Sequence, residues 1–182
     1  YVPVPILEIG SFLQDNDIDR VKKLFARESK DFLQKYFKKE LFFTDVEGKT
    51  KDEVLKNLCR KVEQEKGLPE TFTASVLKRE ELTPTDYGNL VALPHPERAF
   101  QERAFVAVAV LKEPVFWFRQ KVQVVFLTAI GREEDENLQQ FYEATTDLIL
   151  RPADVQNLIR HPDYDRLIQL LLSLIHISEP TR

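Results

Sequence analysis

The sequence predicts an α/β fold, a layered mixed β-sheet flanked by helices on both faces. Two observations lead to this fold class. Residues 105–111 and 122–130 are strongly apolar and rich in β-branched and aromatic side chains, as in strands that helices cover on both faces. Segments with apolar residues at three- and four-residue steps lie before and after them, and this is the helical period. Alternation of helices with buried strands is typical of layered α/β domains.

The N-terminal elements are predicted from periodicity and capping residues. After a strand at residues 4–9, Asp15 is a suitable N-cap for a helix that runs to about Ser29. A short apolar strand follows at residues 41–43. Thr50 then caps a second helix, which ends at the helix-breaking Gly67 to Pro69 segment. The apolar stripe of this helix predicts its buried side chains: Val54, Leu55, Leu58, Cys59 and Val62.

The C-terminal elements alternate between strands and helices. The strands are predicted at residues 89–93, 105–111 and 122–130. The helices are predicted at residues 70–81, 138–149, from Pro152 onward, and 164–172. Residues 173–182 extend no motif and pack no obvious face. They are predicted to be a non-native tail, so His176 is not considered as a functional residue.

Composition and charge exclude several function classes. A net charge of −4 and a pI near 5.5 argue against direct nucleic-acid contact by these residues. No apolar run approaches the roughly 20 residues that span a bilayer, so no membrane insertion is predicted. The single cysteine, Cys59, excludes an internal disulfide, and without a signal peptide it predicts a cytoplasmic protein. The absence of methionine predicts that sequence is missing upstream.

His95 is the candidate functional residue, because Pro94 and Pro96 restrict the backbone on either side of it at the end of a predicted strand. Gly88 permits a tight turn into that strand. Near pH 7 much of an imidazole is neutral, so one ring nitrogen keeps a lone pair and can act as a nucleophile. A structural role is the alternative, since turn residues are common at strand ends.

Arg79 strengthens the functional interpretation of His95. It lies sixteen positions earlier, at the end of the predicted helix 70–81, so a helix–turn–strand arrangement could bring the two side chains together. A guanidinium fork is well suited to hold the oxygens of a phosphate group.

Two alternative functions are a binding module that has lost phosphorylation and a hydrolase with His95 as base, although no partner nucleophile has suitable spacing for the hydrolase. No metal or cofactor is predicted, because zinc-like Cys/His spacing and a phosphate-binding glycine loop are both absent from the sequence.

Residues 72–96, FTASVLKREELTPTDYGNLVALPHP, resemble a known motif. It is the phosphoacceptor motif of the fructose/mannitol-class enzyme IIA domain of the bacterial phosphoenolpyruvate-dependent sugar phosphotransferase system. Residues 112–117 and the pair Phe141-Tyr142 resemble the regulatory subtype that ends BglG-family transcriptional antiterminators and activators. This resemblance implies that residues 1–30 are the end of a truncated IIB-like domain with a connecting helix. Residues 31–172 would then form the IIA-like phosphoacceptor domain.

The resemblance implies a role for individual residues. His95 would accept the phosphoryl group, and Arg79 would hold the phosphate oxygens. Thr85 and Asn89 would supply hydrogen bonds to the phosphate or the imidazole. Transport-type members often carry a second histidine where this sequence has Asn137, which can donate a hydrogen bond but cannot carry a titrating charge.

The implied function is therefore that of a regulatory phosphoacceptor in a transcriptional antiterminator or activator controlled by the sugar phosphotransferase system. The alternative is a IIA phosphocarrier component of a fructose/mannitol-class transporter, which Asn137 disfavours. The implied partners are the histidine phosphocarrier protein or a IIB protein or domain, and the other domains of the same regulator. In either role the chain is a phosphohistidine acceptor, and the regulatory role is not that of a turnover enzyme.

Overall fold

The two apolar runs of the sequence form the central strands of a five-stranded sheet. The computed structural model describes residues 15–133, 135 and 137–178. The strands are β1 (Phe37–Phe43), β2 (Asp86–Gly88), β3 (Val91–Ala92), β4 (Phe105–Phe116) and β5 (Lys121–Ala129). The helices are α1 (Asp15–Tyr36), α2 (Lys51–Lys66), α3 (Thr71–Leu82), α4 (Leu138–Ile149), α5 (Pro152–Arg160) and α6 (Tyr164–Ser178).

The sheet is mixed and has the strand order β1-β4-β5-β3-β2. β1 pairs parallel with β4, and β3 pairs parallel with β5, whereas the β4–β5 and β2–β3 pairs are antiparallel. The carboxyl ends of β3 and β5 therefore meet at the sheet edge where β1 and β4 begin. The residues that follow β3, including His95, lie at this edge.

Side chains of the central strands point alternately to two apolar layers, as the pleat of a strand requires. Val106 and Val108 of β4 and Phe126 of β5 pack with α1, α4, α5 and α6. Ala107 of β4 and Leu127 of β5 pack on the opposite face with α2 and α3. The predicted mixed sheet with helices on both faces is thus confirmed.

Helix α2 shows how local sequence determines one of these layers. The Thr50 hydroxyl accepts a hydrogen bond from the Glu53 amide at 3.2 Å, as expected of an N-cap. Gly67 ends the helix with φ at 66°, a left-handed conformation that glycine adopts readily. All five residues of the predicted stripe are fully buried. Cys59 is among them, and burial raises the pKa of its thiol, so it is a core residue.

Several elements differ from the prediction. Helix α1 runs to Tyr36 instead of ending at about Ser29, and β4 runs to Phe116 instead of residue 111. β1 begins at Phe37, not residue 41, because Phe37 is buried against α4 and α6 side chains while Lys38 and Lys39 remain exposed. Within the predicted strand 89–93, Asn89 and Leu90 form the turn between β2 and β3, and only Val91 and Ala92 form a strand. The last helix continues to Ser178.

The end of α6 includes the first residues of the segment 173–182, which the sequence predicts to be a non-native tail that packs no obvious face. Leu174 and Ile175 are buried in the same layer as α1 and α4. Their apolar side chains continue the stripe of the helix, which the sequence analysis ended too early at residue 172. The predicted strand at residues 4–9 lies outside the described residues. No helix within the described ranges is both long and apolar enough to cross a membrane.

Candidate functional site

His95 lies in the segment that follows β3, and hydrogen bonds hold this segment on both sides. On one side, the Leu93 amide donates to the Thr85 carbonyl at 3.2 Å. On the other, the Thr128 amide of β5 donates to the Pro94 carbonyl at 3.0 Å. Pro94 is buried, whereas His95 is partly exposed. The backbone of the candidate phosphoacceptor is thus rigid while its ring remains accessible.

The His95 ring has one nitrogen against the backbone. Nδ1 lies 3.2 Å from the Leu93 carbonyl oxygen. Because a carbonyl only accepts hydrogen bonds, this contact requires a proton on Nδ1. A neutral ring in this tautomer carries its lone pair on Nε2, the nitrogen available to a reacting group.

His95 lines a cavity of about 210 Å³ between the sheet edge and α4. The lining residues are Tyr87, Leu93, His95, Thr128, Ile130, Phe141, Tyr142, Thr145 and Thr146. Tyr87, Ile130 and Tyr142 are apolar or aromatic and exposed, so they form an open rim around the cavity. Sequence reasoning did not place Tyr87, Ile130 or the threonines here. The helical spacing of residues 141, 142, 145 and 146 would have indicated that they share one face of α4.

Arg79 lies in the last turn of α3, as predicted. Its Nη1 donates to the Thr83 carbonyl at 3.0 Å, so the guanidinium rests against the connection from α3 to β2. Among the described residues, those lining the His95 cavity do not include Arg79. The structure thus places Arg79 near the start of the loop that leads to the site, with its side chain bonded to that loop.

Thr85 is fully buried. The hydroxyl lies 3.0 Å from both carboxylate oxygens of Glu80 and 3.1 Å from the Leu93 amide, which donates to it. Its hydrogen-bonding capacity is used within the fold. Thr85 therefore supports the His95 segment from inside.

Asn89 occupies the turn between β2 and β3. Asn89 and Leu90 have φ values of 53° and 66°, as a two-residue turn with both central residues left-handed requires. Asparagine tolerates this conformation, and Gly88 beside it has φ at 116°. The side-chain amide of Asn89 donates a hydrogen bond to the Ile149 carbonyl at 2.7 Å, which connects the turn to the end of α4.

Residues 35–174 match the family model described as "Phosphoenolpyruvate-dependent sugar phosphotransferase system, EIIA 2". The chain belongs to this EIIA family. The predicted resemblance is thereby confirmed.

Within the described residues, no group of three or more His, Cys, Asp or Glu side chains could hold a metal ion.

Curated relatives of this EIIA domain include two proteins of Bacillus subtilis (strain 168). The probable licABCH operon regulator is 34% identical over 166 residues, which are 91% of this chain and 26% of that protein. The transcriptional regulator ManR is 27% identical over 120 residues, which are 66% of this chain and 18% of that protein. The chain therefore spans about a quarter or less of the length of these relatives.

Solved structures share the fold of this EIIA domain. IIA mannitol from Escherichia coli has a TM-score of 0.59 at 19% identity, over 73% of this chain and 96% of that one. Nitrogen regulatory protein IIA-Ntr from Neisseria meningitidis has a TM-score of 0.65 at 18% identity, over 77% and 99% of the two chains. The Escherichia coli complex of enzyme IIAMTL with phosphorylated enzyme IIBMTL contains a chain with a TM-score of 0.61 at 19% identity, over 75% and 99%.

Asn137 immediately precedes α4 of the EIIA domain, at the helix start where the resemblance places it. Asn137 is exposed, and its backbone amide donates a hydrogen bond to the Asp135 carboxylate at 2.9 Å. The same carboxylate accepts a hydrogen bond from the Tyr36 hydroxyl of α1, and this bond lowers the pKa of Asp135. Burial and the bond to Asp135 raise the pKa of Tyr36. The loop before α4 is thus fastened to the end of α1.

Asp86 fastens the β4–β5 hairpin to β2. One carboxylate oxygen accepts hydrogen bonds from the amides of Phe118, Arg119 and Gln120, at 3.2, 2.6 and 2.9 Å. Burial alone would raise the pKa of Asp86, but the amide donors outweigh it and hold the pKa below its ordinary value. The ionised carboxylate therefore stabilises the folded state.

We expect Asp86→Asn to lower the free energy of unfolding by about 2 kcal/mol at pH 7, the scale of hydrogen bonds to a charged group. Because the folded pKa lies below the unfolded value of about 3.9, the contribution is present above that value. It is lost as the pH falls through the folded pKa. Denaturant titrations at pH 7 and at about pH 3 should show the difference between wild type and variant shrinking.

A matched control is Asp45→Asn, whose carboxylate is 71% exposed and paired with Lys61. The loss in this variant should be much smaller and should diminish with added salt. A constant loss for Asp86→Asn across the pH range would contradict the assignment of its effect to charge.

Proposed function

We propose that this EIIA domain is a regulatory phosphoacceptor, in which His95 takes a phosphoryl group on Nε2 and signals sugar supply to a transcriptional regulator. The observation that carries the proposal is the contact between Nδ1 and the Leu93 carbonyl, on a partly exposed ring at the rim of a cavity. This contact leaves the Nε2 lone pair for the incoming phosphorus. The family membership of the chain supports the reaction class.

In the proposed transfer, the Nε2 lone pair attacks the phosphorus of a phosphohistidine on the donor. The N–P bond of the donor breaks, and its electron pair returns to the donor ring. The His95 ring gains positive charge as the new bond forms, because Nδ1 keeps its proton. The Leu93 carbonyl accepts the hydrogen bond from that proton and stabilises the charge.

Arg79 is proposed to hold the phosphate oxygens. A phosphoryl group brings close to two negative charges, which a guanidinium can bind in a bidentate manner. To do so, the Arg79 side chain would exchange its bond to the Thr83 carbonyl for the phosphate. Thr85 and Asn89 are proposed to act indirectly, by fixing the Leu93 amide and the β2–β3 turn.

The regulatory role is proposed over the transport role for two reasons. The relatives that match most of this chain are named as regulators. Asn137, in place of a second histidine, cannot carry a titrating charge during onward transfer. The added charge on His95 would bias how the domain docks on other domains of the same regulator.

We infer that residues 1–30 are the end of a IIB-like domain and a connecting helix, and that the histidine phosphocarrier protein or a IIB domain donates the phosphoryl group in the cytoplasm. Any nucleic-acid contact would belong to another part of the regulator, since these residues have a net charge of −4.

Incubation with phosphoenolpyruvate, enzyme I and the histidine phosphocarrier protein, followed by intact-mass measurement, tests the reaction. The expected result is one phosphoryl group per chain, located on Nε2 by phosphorus and nitrogen NMR. No uptake from this system or from a phosphorylated IIB protein would contradict the proposal.

Onward transfer distinguishes the regulatory role from the transport role. The phosphorylated chain is mixed with a IIB protein, and loss of its label is followed with time. A regulatory acceptor should lose the label slowly, and Asn137→His should lose it faster. Rapid transfer by the wild type would favour the transport alternative.

A further inference from the structure

We propose that Glu80 is a positioning residue that fixes the tautomer and orientation of the His95 ring through Thr85 and Leu93. The consequence for phosphorylation rests on the function proposed above. The effect on the ring itself can be measured without any phosphoryl donor. Glu80 lies in α3, one residue after Arg79, and its side chain points into the fold while that of Arg79 does not.

The Glu80 carboxylate is almost completely buried, at 1% exposure. It lies 2.7 Å from the Thr85 amide, 3.0 Å from the Thr85 hydroxyl and 2.7 Å from the Trp117 indole nitrogen. A buried carboxylate is costly unless hydrogen bonds compensate its charge. An ionised carboxylate only accepts, so all three groups donate to it.

The direction of the Thr85 hydroxyl follows from Glu80. Because the hydroxyl proton points to Glu80, the oxygen presents only lone pairs to the rest of its surroundings. The Leu93 amide donates to one of them at 3.1 Å, and also to the Thr85 carbonyl at 3.2 Å. The peptide that precedes Leu93 is therefore held in one orientation.

The Leu93 residue transmits this orientation to His95. Its carbonyl accepts from Nδ1 of the ring, so a fixed Leu93 favours the tautomer with the proton on Nδ1. If Leu93 were free to move, the ring could place its proton on Nε2. That tautomer has its lone pair on Nδ1, toward the backbone, and is unsuited to accept a phosphoryl group.

Glu80→Gln tests this relay, meaning the hydrogen bonds that lead from Glu80 through Thr85 and Leu93 to His95. The substitution changes the side-chain volume little. Glutamine replaces one of the two Glu80 oxygens that lie 3.0 Å from the Thr85 hydroxyl with an amide donor, so the hydroxyl proton is no longer directed to Glu80 alone. In the wild type, nitrogen NMR of ¹⁵N-histidine-labelled protein should show His95 with its proton mainly on Nδ1. In the variant we expect a mixture of tautomers and phosphoryl uptake slower by about 10- to 100-fold, the range found for residues that orient a metal-ligating imidazole.

Matched variants separate positioning from general stability. Trp117→Phe removes one hydrogen bond to Glu80, but Trp117 is not one of the residues that connect Glu80 to Leu93. This variant should therefore lower stability without changing the His95 tautomer. Thr85→Val removes the hydroxyl and should reproduce the tautomer change of Glu80→Gln. Thr85→Ser keeps the hydroxyl and should retain the wild-type tautomer. Fluorescence of Trp117, the single tryptophan, shows whether the Glu80 and Thr85 variants are folded.

An identical tautomer ratio in wild type, Glu80→Gln and Thr85→Val would overturn the inference. If Glu80→Gln does not fold, the comparison of Thr85→Val with Thr85→Ser decides in its place. The tautomer is measured on unphosphorylated protein. Tautomer shifts in a chain that takes up no phosphoryl group would therefore support the relay and contradict only the proposed function.

Discussion

Phosphoryl uptake is expected to be abolished in His95→Ala, because the reaction requires the lone pair of Nε2 and no other group lies in its position. Intact mass after incubation with the donor system should show one phosphoryl group on the wild type and none on the variant. The ring is partly exposed and makes one hydrogen bond, so its removal should change the free energy of unfolding by less than about 1 kcal/mol. The loss of uptake would then not be a consequence of unfolding.

His161→Ala is the matched control for this experiment. His161 is exposed at the end of α5, beyond the residues that line the His95 cavity. This variant should take up the phosphoryl group at the wild-type rate. Undiminished uptake by His95→Ala, or a loss in His161→Ala alone, would remove His95 from the proposed role.

The parts of the fold that follow from the sequence are those determined by local patterns. Helix α2 is an example, since its N-cap, its glycine stop and its buried stripe all lie within twenty residues of chain. The central strands were predicted for a similar reason, because side chains that are apolar on both faces fit only a covered strand. The position of His95 at a strand end followed from its prolines.

The β2–β3 turn could not be predicted with the same certainty. Its two central residues are left-handed, and Leu90 does not favour that conformation. The turn is held by bonds from other parts of the chain, including the Gln123 amide to the Leu90 carbonyl at 2.8 Å and Asn89 to Ile149. Local propensity predicted a continuous strand, and tertiary contacts produced a hairpin.

The side chains around His95 illustrate a second limit. The family resemblance implied that Thr85 and Asn89 lie near the site, but it could not show which groups they bond. Thr85 is directed inward by Glu80, and Trp117, far along the chain, bonds the same carboxylate. Which groups bond to Thr85 and Glu80 depends on how α3 packs against the β4–β5 hairpin. No local sequence pattern predicts that packing.

Phe141 connects the core to the site, and Phe141→Ala is expected to cost about 3–5 kcal/mol of unfolding free energy. The side chain is 1% exposed and stacks on Tyr36 with ring centroids 4.7 Å apart. It also packs on Phe37 at 5.6 Å and lines the His95 cavity. Truncation would remove contacts to α1 and β1 together and leave a void beneath the site. Denaturant titration followed by Trp117 fluorescence measures the loss.

Tyr142→Ala is the control beside it on α4. Tyr142 also lines the cavity, but it is 38% exposed, so its removal should cost much less stability than that of Phe141. Phe141→Leu, which refills most of the volume, should recover a large part of the loss. A loss for Phe141→Ala no greater than that for Tyr142→Ala would show that α4 can repack against α1. In that case the cavity wall next to His95 would be adaptable, and the rigid site described above would be limited to the backbone that Thr85 and Thr128 hold.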